Sequence, residues 1–220
     1  MPDSDAIYYA HGARLPLAAR VIIFAREQMY RHFIKVMNPD PESTLLDFGV
    51  SEEITDESNA LERNYPFPKQ ITCAGLGDGT ALTTAFPAVR HVTIQQNTRL
   101  PFKDKEFDIA YSNAVFEHLG SDRDRQLAAQ ELLRVARRIY LTIPNRWFPI
   151  EHHTGIPLLH FHPGLFRKAL AGTRFGYWAD PQRLEFISKR RVARFMPAPC
   201  ATAYCGLRFG AFSSNLAIWC

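Results

Sequence analysis

Along residues 17–37 the side chains Ala18, Ile22, Ala25, Met29, Phe33 and Val36 recur at intervals of four, three, four, four and three, which places them on one stripe of a helix. Pro39 and Pro41 end it. Short runs rich in β-branched and aromatic residues follow at 44–48, 70–77, 90–96 and 107–116, each bounded by turn chemistry, and each reads as a strand. Ser121, with Asp124 three residues on, announces a helix start, and Ala128, Leu132 and Val135 then share a face. Another strand is expected up to Pro144. Strands near 46, 73, 93, 109 and 141 with helical crossovers between them predict an α/β fold, a doubly wound parallel sheet with helices on both faces.

After Pro144 the pattern changes. The stretch 144–164 is rich in Pro, His and aromatics without a clean period, and is expected to be a long functional loop or lid. A basic helix is predicted near 188–195, followed by two runs that suit an antiparallel hairpin at the sheet edge.

Composition narrows the picture. A chain of 220 residues, 46% hydrophobic, suits one core and one domain. Its net charge of +4 is spread among acidic residues, so no nucleic-acid partner is expected. There is no apolar run of membrane-spanning length and no charged-then-apolar leader pattern, and a cytoplasmic location is expected. Cys73, Cys200, Cys205 and Cys220 are irregularly spaced, which predicts reduced thiols rather than a disulfide framework or zinc knuckle.

A strand ending in Asp47 and Gly49, the segment LPFKDKEFDIAYSNAVFEHLG (100–120), a helix ending ELLRVARR and a strand running into TIPNRWFP together resemble the class I S-adenosylmethionine-dependent methyltransferases, in their small-molecule, type 11-like branch. The likeness covers about 43–145. It implies a Rossmann-like, mostly parallel seven-stranded sheet with an antiparallel C-terminal edge hairpin, and S-adenosyl-L-methionine as cofactor. The single domain then divides into an N-terminal helical segment (1–42), a cofactor-binding core (43–145), a lid or substrate region (146–187) and a C-terminal helix with edge strands (188–220).

The first loop departs from the glycine-rich form of most relatives: Val50, Ser51 and Glu52 follow Gly49, in a Gly-Val-Ser variant. Relatives place a ribose-binding acid at the end of the second strand. That position holds Gly77, and Asp78 beside it is the candidate. The adenine-side acid is matched by Gln96, with Asn97 next to it, and an amide oxygen can accept the same bond. The resemblance therefore implies cofactor contacts from Asp47, Gly49, Val50, Ser51, Asp78, Gln96, Asn97, Leu100, Asn113 and His118.

Methyl transfer to an acceptor hydroxyl needs a base; the candidates after strands four and five are Asn113, Glu117 and His118, then Glu151, His152 and His153, and the last three are expected to be catalytic. With His160 and His162 they also invite a zinc reading, but no metal site is expected. The acceptor expected is a small molecule or a glycan- or lipid-linked one, O-methylated, with peripheral membrane contact through the basic 188–195 run kept open. The rival reading is a non-catalytic binding or assembly protein on the same scaffold, motivated by the softened cofactor positions; a nicotinamide-dependent oxidoreductase lacks its glycine fingerprint.

Overall fold

The computed structural model describes residues 16–55, 57–96 and 98–220. Helix α1 (Pro16–Met37) buries Met29 and Phe33 of the stripe read from sequence and continues it to Met37, while Val36 is only partly covered. The side chain of Ala18 lies outside the described residues. Strand β1 (Leu45–Phe48) leads through α2 (Ala60–Asn64) into β2 (Ile71–Gly75), α3 (Thr80–Ala85) and β3 (Arg90–Thr93). Strand β4 (Phe107–Asn113) connects through α4 (Asp122–Val135) to β5 (Ala136–Pro144), and α5 (Pro163–Leu170) and α6 (Lys189–Phe195) precede the hairpin of β6 (Ala201–Phe209) and β7 (Phe212–Trp219).

These form one seven-stranded sheet in the order β3-β2-β1-β4-β5-β7-β6. Strands β1 to β5 run parallel, and β7 enters antiparallel beside β5 with β6 at the edge. Alternate side chains divide the core. Leu46, Ala110, Ile139 and Leu141 face the layer containing α4 and α6; Leu45, Ile109, Tyr111 and Tyr140 face that of α1. Burial on both faces explains why the central strands read as near-continuous apolar runs.

Helix α4 begins with the capping box: Ser121 Oγ accepts Asp124 N–H at 3.2 Å, and Asp124 Oδ2 accepts Ser121 N–H at 3.0 Å. Its buried face is Arg125, Ala129, Leu132 and Val135, which shifts the predicted stripe from Ala128 to Ala129. The 146–187 region carries its own small core: α5 and two short 3-10 turns gather Phe166, Leu170, Trp178, Leu184 and Phe186, so its aromatics pack against each other and need no helical period. One expectation is corrected. Cys200 and Cys220 are joined in a disulfide across the open end of the β6–β7 hairpin, because the strand pairing brings their Cα atoms to 4.7 Å; Cys73 and Cys205 are free and buried.

Candidate active site

A cleft of about 1030 Å³ opens at the carboxyl ends of β1, β2, β4 and β5, where ligands collect in doubly wound sheets. It has two ends with different chemistry.

At the β1 end, Asp47 is buried beside Glu62; Gly49 follows one strand residue later, at φ +83°, with its N–H donated to Ala74 O at 2.8 Å. A Cβ at Gly49 would stand 2.5 Å from Val115 Cγ2, so both the left-handed backbone and the close approach require glycine. Asn59 Nδ2 donates to Ser51 O at 2.8 Å and fixes the loop. Burial, followed by the charge and hydrogen bond of Glu62, raises Asp47 well above the usual carboxylate range. Val50 is buried against Gly75, and the cleft remains open over Ser51 and Glu52.

Glu52 was not singled out by the sequence. Its carboxylate reaches across to the end of β2: Oε1 accepts Gly79 N–H at 2.5 Å, and a Cβ at Gly77 would lie 2.0 Å from Oε2. The carboxylate therefore fills the space a side chain at 77 would take. Asp78 is exposed and outside the cleft lining; its Oδ1 accepts Thr80 N–H at 2.8 Å at the start of α3, and these Thr80 bonds hold its carboxyl below the usual range. Gln96 is exposed on the cleft wall, and Leu100 forms an apolar wall with its N–H given to Glu131 Oε2 at 2.9 Å. Asn97 lies outside the described residues.

The other end is formed where β4 and β5 meet the 146–187 region. Asn113 Oδ1 accepts Thr142 Oγ1–H at 2.5 Å, and Ala114, at φ +56°, turns the chain into a 3-10 turn at Phe116–His118. That turn is clamped from two sides. Arg125, fully buried on α4, donates from Nε to Phe116 O at 2.8 Å and from Nη2 to Gly120 O at 3.0 Å. From the other side Glu185 N–H donates to Glu117 O at 2.9 Å, and His118 Nδ1 donates to Arg183 O at 2.7 Å.

Glu151 and His153 complete this end. Both Glu151 oxygens accept the His153 N–H, at 3.1 and 3.0 Å, Oε1 accepts His153 Nδ1–H at 2.8 Å, and Oε2 accepts Thr154 N–H and Oγ1–H at 2.7 Å each. Burial opposes ionisation of Glu151, but the His153 charge and these bonds outweigh it and hold the carboxyl down at about 2. Glu117 has the opposite fate: burial pushes it up to about 7, with neither oxygen hydrogen-bonded among the described residues. Burial, with a contribution from His153, lowers His118 to about 3, and burial lowers His152 to about 4. His152 also lines the cleft, packed edge-on to Phe148, whereas His160 is buried against Phe161 and Phe186 and, with His162, stays out of the cleft lining.

The structure thus gathers Asp47, Gly49, Val50, Ser51, Gln96, Leu100, Asn113, His118, Glu151, His152 and His153 around one cleft and leaves Asp78 outside it. The site defines a doubly wound α/β protein with a ligand cleft at the topological switch point. Residues 66–138 match a family model described as a methyltransferase domain. An S-adenosylmethionine-dependent methyltransferase from Aquifex aeolicus shares the fold at TM-score 0.57 and 13% identity, with 100% of this chain and 98% of that one covered. One from Methanosarcina mazei does so at 0.53 and 13%, covering 87% and 95%. A protein from Rhodobacter sphaeroides described as a putative zinc-dependent alcohol dehydrogenase aligns at 0.59 and 10%, covering 86% of each chain. Such likenesses show the fold, and a fold can host several chemistries. A search among curated proteins finds no match. The sequence match makes residues 66–138 a methyltransferase domain, and the chain around it shares the fold of S-adenosylmethionine-dependent methyltransferases.

Proposed function

We propose that the chain methylates an acceptor oxygen at the His118–His153 end of the cleft, with the cofactor held over the Asp47–Glu52 loop. The residues fit the cofactor. Gly49 leaves room beneath it, Asp47 and Glu62 offer buried carboxyl oxygens toward its methionyl ammonium, Glu52 offers a carboxylate at the end of β2, and Gln96 and Leu100 stand where a base would lie. Bound there, S-adenosylmethionine supplies an activated methyl group on a sulfonium. The protein's part is alignment and exclusion of water. At the other end, His118 and Glu117 bind the acceptor oxygen, and His153, whose Nδ1 proton is held by Glu151, takes the hydroxyl proton on Nε2 as the oxygen is methylated. Glu151 acts through His153: five hydrogen bonds already occupy its oxygens.

One observation carries the reading. The polar groups at the far end face the same open cleft as the glycine-bearing β1 loop, with both clamped by buried hydrogen bonds. The rim adds a preference for acceptor. Val21, Leu76, Leu127, Ile150 and Phe209 line the cleft with exposed apolar side chains, which suits an acceptor with an apolar part, such as a lipid-linked glycan. The basic α6 supports membrane contact less: Arg191 is already engaged with Asp122 and Glu185, at 3.0 and 3.1 Å.

Calorimetry and thermal melting with S-adenosylhomocysteine test the cofactor end. Binding with a raised melting temperature is expected, because a ligand of the folded state stabilises it by mass action. No heat and no shift at millimolar ligand would leave only the scaffold protein.

A further inference from the structure

His118 and His153 come from elements 35 residues apart in sequence, yet their Nε2 atoms lie 3.3 Å from one another. Their protonation is fixed from behind. A carbonyl oxygen only accepts, so the Arg183 contact at 2.7 Å puts the proton of His118 on Nδ1. The Glu151 carboxylate at 2.8 Å does the same for His153. When both rings are neutral, each directs an Nε2 lone pair at the other, a repulsive arrangement unless something positive lies between. A single proton could bridge the pair. It would leave the adjacent Glu117 unexplained, because that side chain is 1% exposed and both its oxygens lack hydrogen-bond partners among the described residues.

We propose that Glu117, His118 and His153 form a binding site for a divalent first-row cation, of which Zn²⁺ is the best fit, at the acceptor end of the cleft. The ligand atoms lie within 4.8 Å of one another, and Glu117 Oε1 is 3.9 Å from His118 Nε2. For metal–nitrogen bonds of about 2.0–2.1 Å, two imidazoles on a tetrahedral ion stand about 3.3 Å apart, the separation found here. The carboxylate must close by about half an ångström to reach the same edge length. Two imidazoles and one carboxylate are a donor set that suits such ions, and three protein ligands leave a position for a water or an oxygen of the acceptor. The outer contacts are already in place: Glu151 behind His153 and a backbone carbonyl behind His118 are the groups that orient ligating histidines. All three ligands line the cleft, which gives the ion a path in. The ion deepens the function proposed above and rests on it for its role, since the acceptor oxygen would meet the histidine pair through the metal rather than directly.

The test uses the untagged full chain, freed of metal with a chelator. Zn²⁺ is titrated by calorimetry and Co²⁺ by its visible absorption. Expected are one equivalent bound, a Co²⁺ spectrum of four-coordinate intensity and a melting temperature raised by Zn²⁺. Glu151→Gln should weaken binding by about 10–100-fold, as removal of a group orienting a ligand does; His153→Ala and Glu117→Gln should weaken it further. Absence of heat and of a thermal shift with the native chain overturns the proposal without any variant. So does a site that survives His153→Ala in a sample shown by circular dichroism to be folded. S-adenosylhomocysteine titrated into the same native sample separates the two readings. Cofactor binding without metal binding ends the metal site alone, and metal binding without cofactor binding ends the transferase reading alone.

Discussion

Glu52 offers the sharpest test of the proposed cofactor site, because the structure makes its position exclusive with a side chain at 77. A Cβ at Gly77 would stand 2.0–2.4 Å from the Glu52 carboxylate atoms, so an aspartate at 77 displaces Glu52 from the Gly79 N–H. The backbone at Gly77 is not in the left-handed region, and the three atoms nearest a Cβ there all belong to the Glu52 carboxylate. If the carboxylate accepts from two ribose hydroxyls, each charge-assisted bond contributes about 1.5–3 kcal/mol. Glu52→Ala then removes about 3–6 kcal/mol, or roughly two to four decades in Kd at about 1.4 kcal/mol per decade. Gly77→Asp alone also weakens binding, since two carboxylates compete for one space. The double variant Glu52→Ala, Gly77→Asp recovers most of the loss, because the acid now comes from the strand end. Calorimetry with S-adenosylhomocysteine on all four proteins, each checked for folding by circular dichroism, yields the coupling energy directly. The reasoning fails if Glu52→Ala binds within about threefold of native, well below one decade, or if the double variant is no better than Glu52→Ala.

Arg125 is fully buried, with Phe116 O, Gly120 O and Asp122 Oδ1 as partners, so Arg125→Met should cost about 3–5 kcal/mol in chemical denaturation; a loss under about 1 kcal/mol would contradict it. Cys200→Ser removes a crosslink between residues 20 apart, and a loss of about 3 kcal/mol is expected from chain entropy; equal denaturation midpoints with and without reductant would argue against the bond. Asp47 gives a pH test. Its carboxyl is raised by burial and by Glu62, so its contribution is fully present below the unfolded carboxylate range near pH 4 and is lost as pH rises toward the folded value. Asp47→Asn should therefore gain stability relative to native as pH rises above about 4, and a difference constant with pH would refute the assignment.

What the sequence disclosed was what neighbouring residues decide. The central strands, the α4 capping box and the edge hairpin follow from short-range pattern, and they were legible. The carboxylate at the end of β2 was not. Asp78 lies next in sequence and accepts Thr80 N–H, while the Glu52 carboxylate crosses over to the Gly79 N–H, 27 residues further on. The only local trace was an absence, a glycine where relatives carry an acid. The Cys200–Cys220 bond and the His118–His153 approach have the same character. Each depends on strand order and loop packing, which no spacing rule reports.

The sparse glycine of the first loop resolves in the same terms. A cofactor loop must keep a fixed volume clear of side chains, and the backbone that provides the clearance need not be the loop itself. Here Gly49 alone passes under Val115, while Val50 turns down into the core against Gly75, where a Cβ would come within 3.1 Å of it. Glu52 lies over Gly77 in turn. Small residues thus stand at the end of β2, where Gly75 and Gly77 make room for Val50 and Glu52 of the first loop. A bulky residue introduced at 75 or 77 should therefore disturb the first loop as much as one introduced into the loop, which a glycine motif read along one strand cannot anticipate.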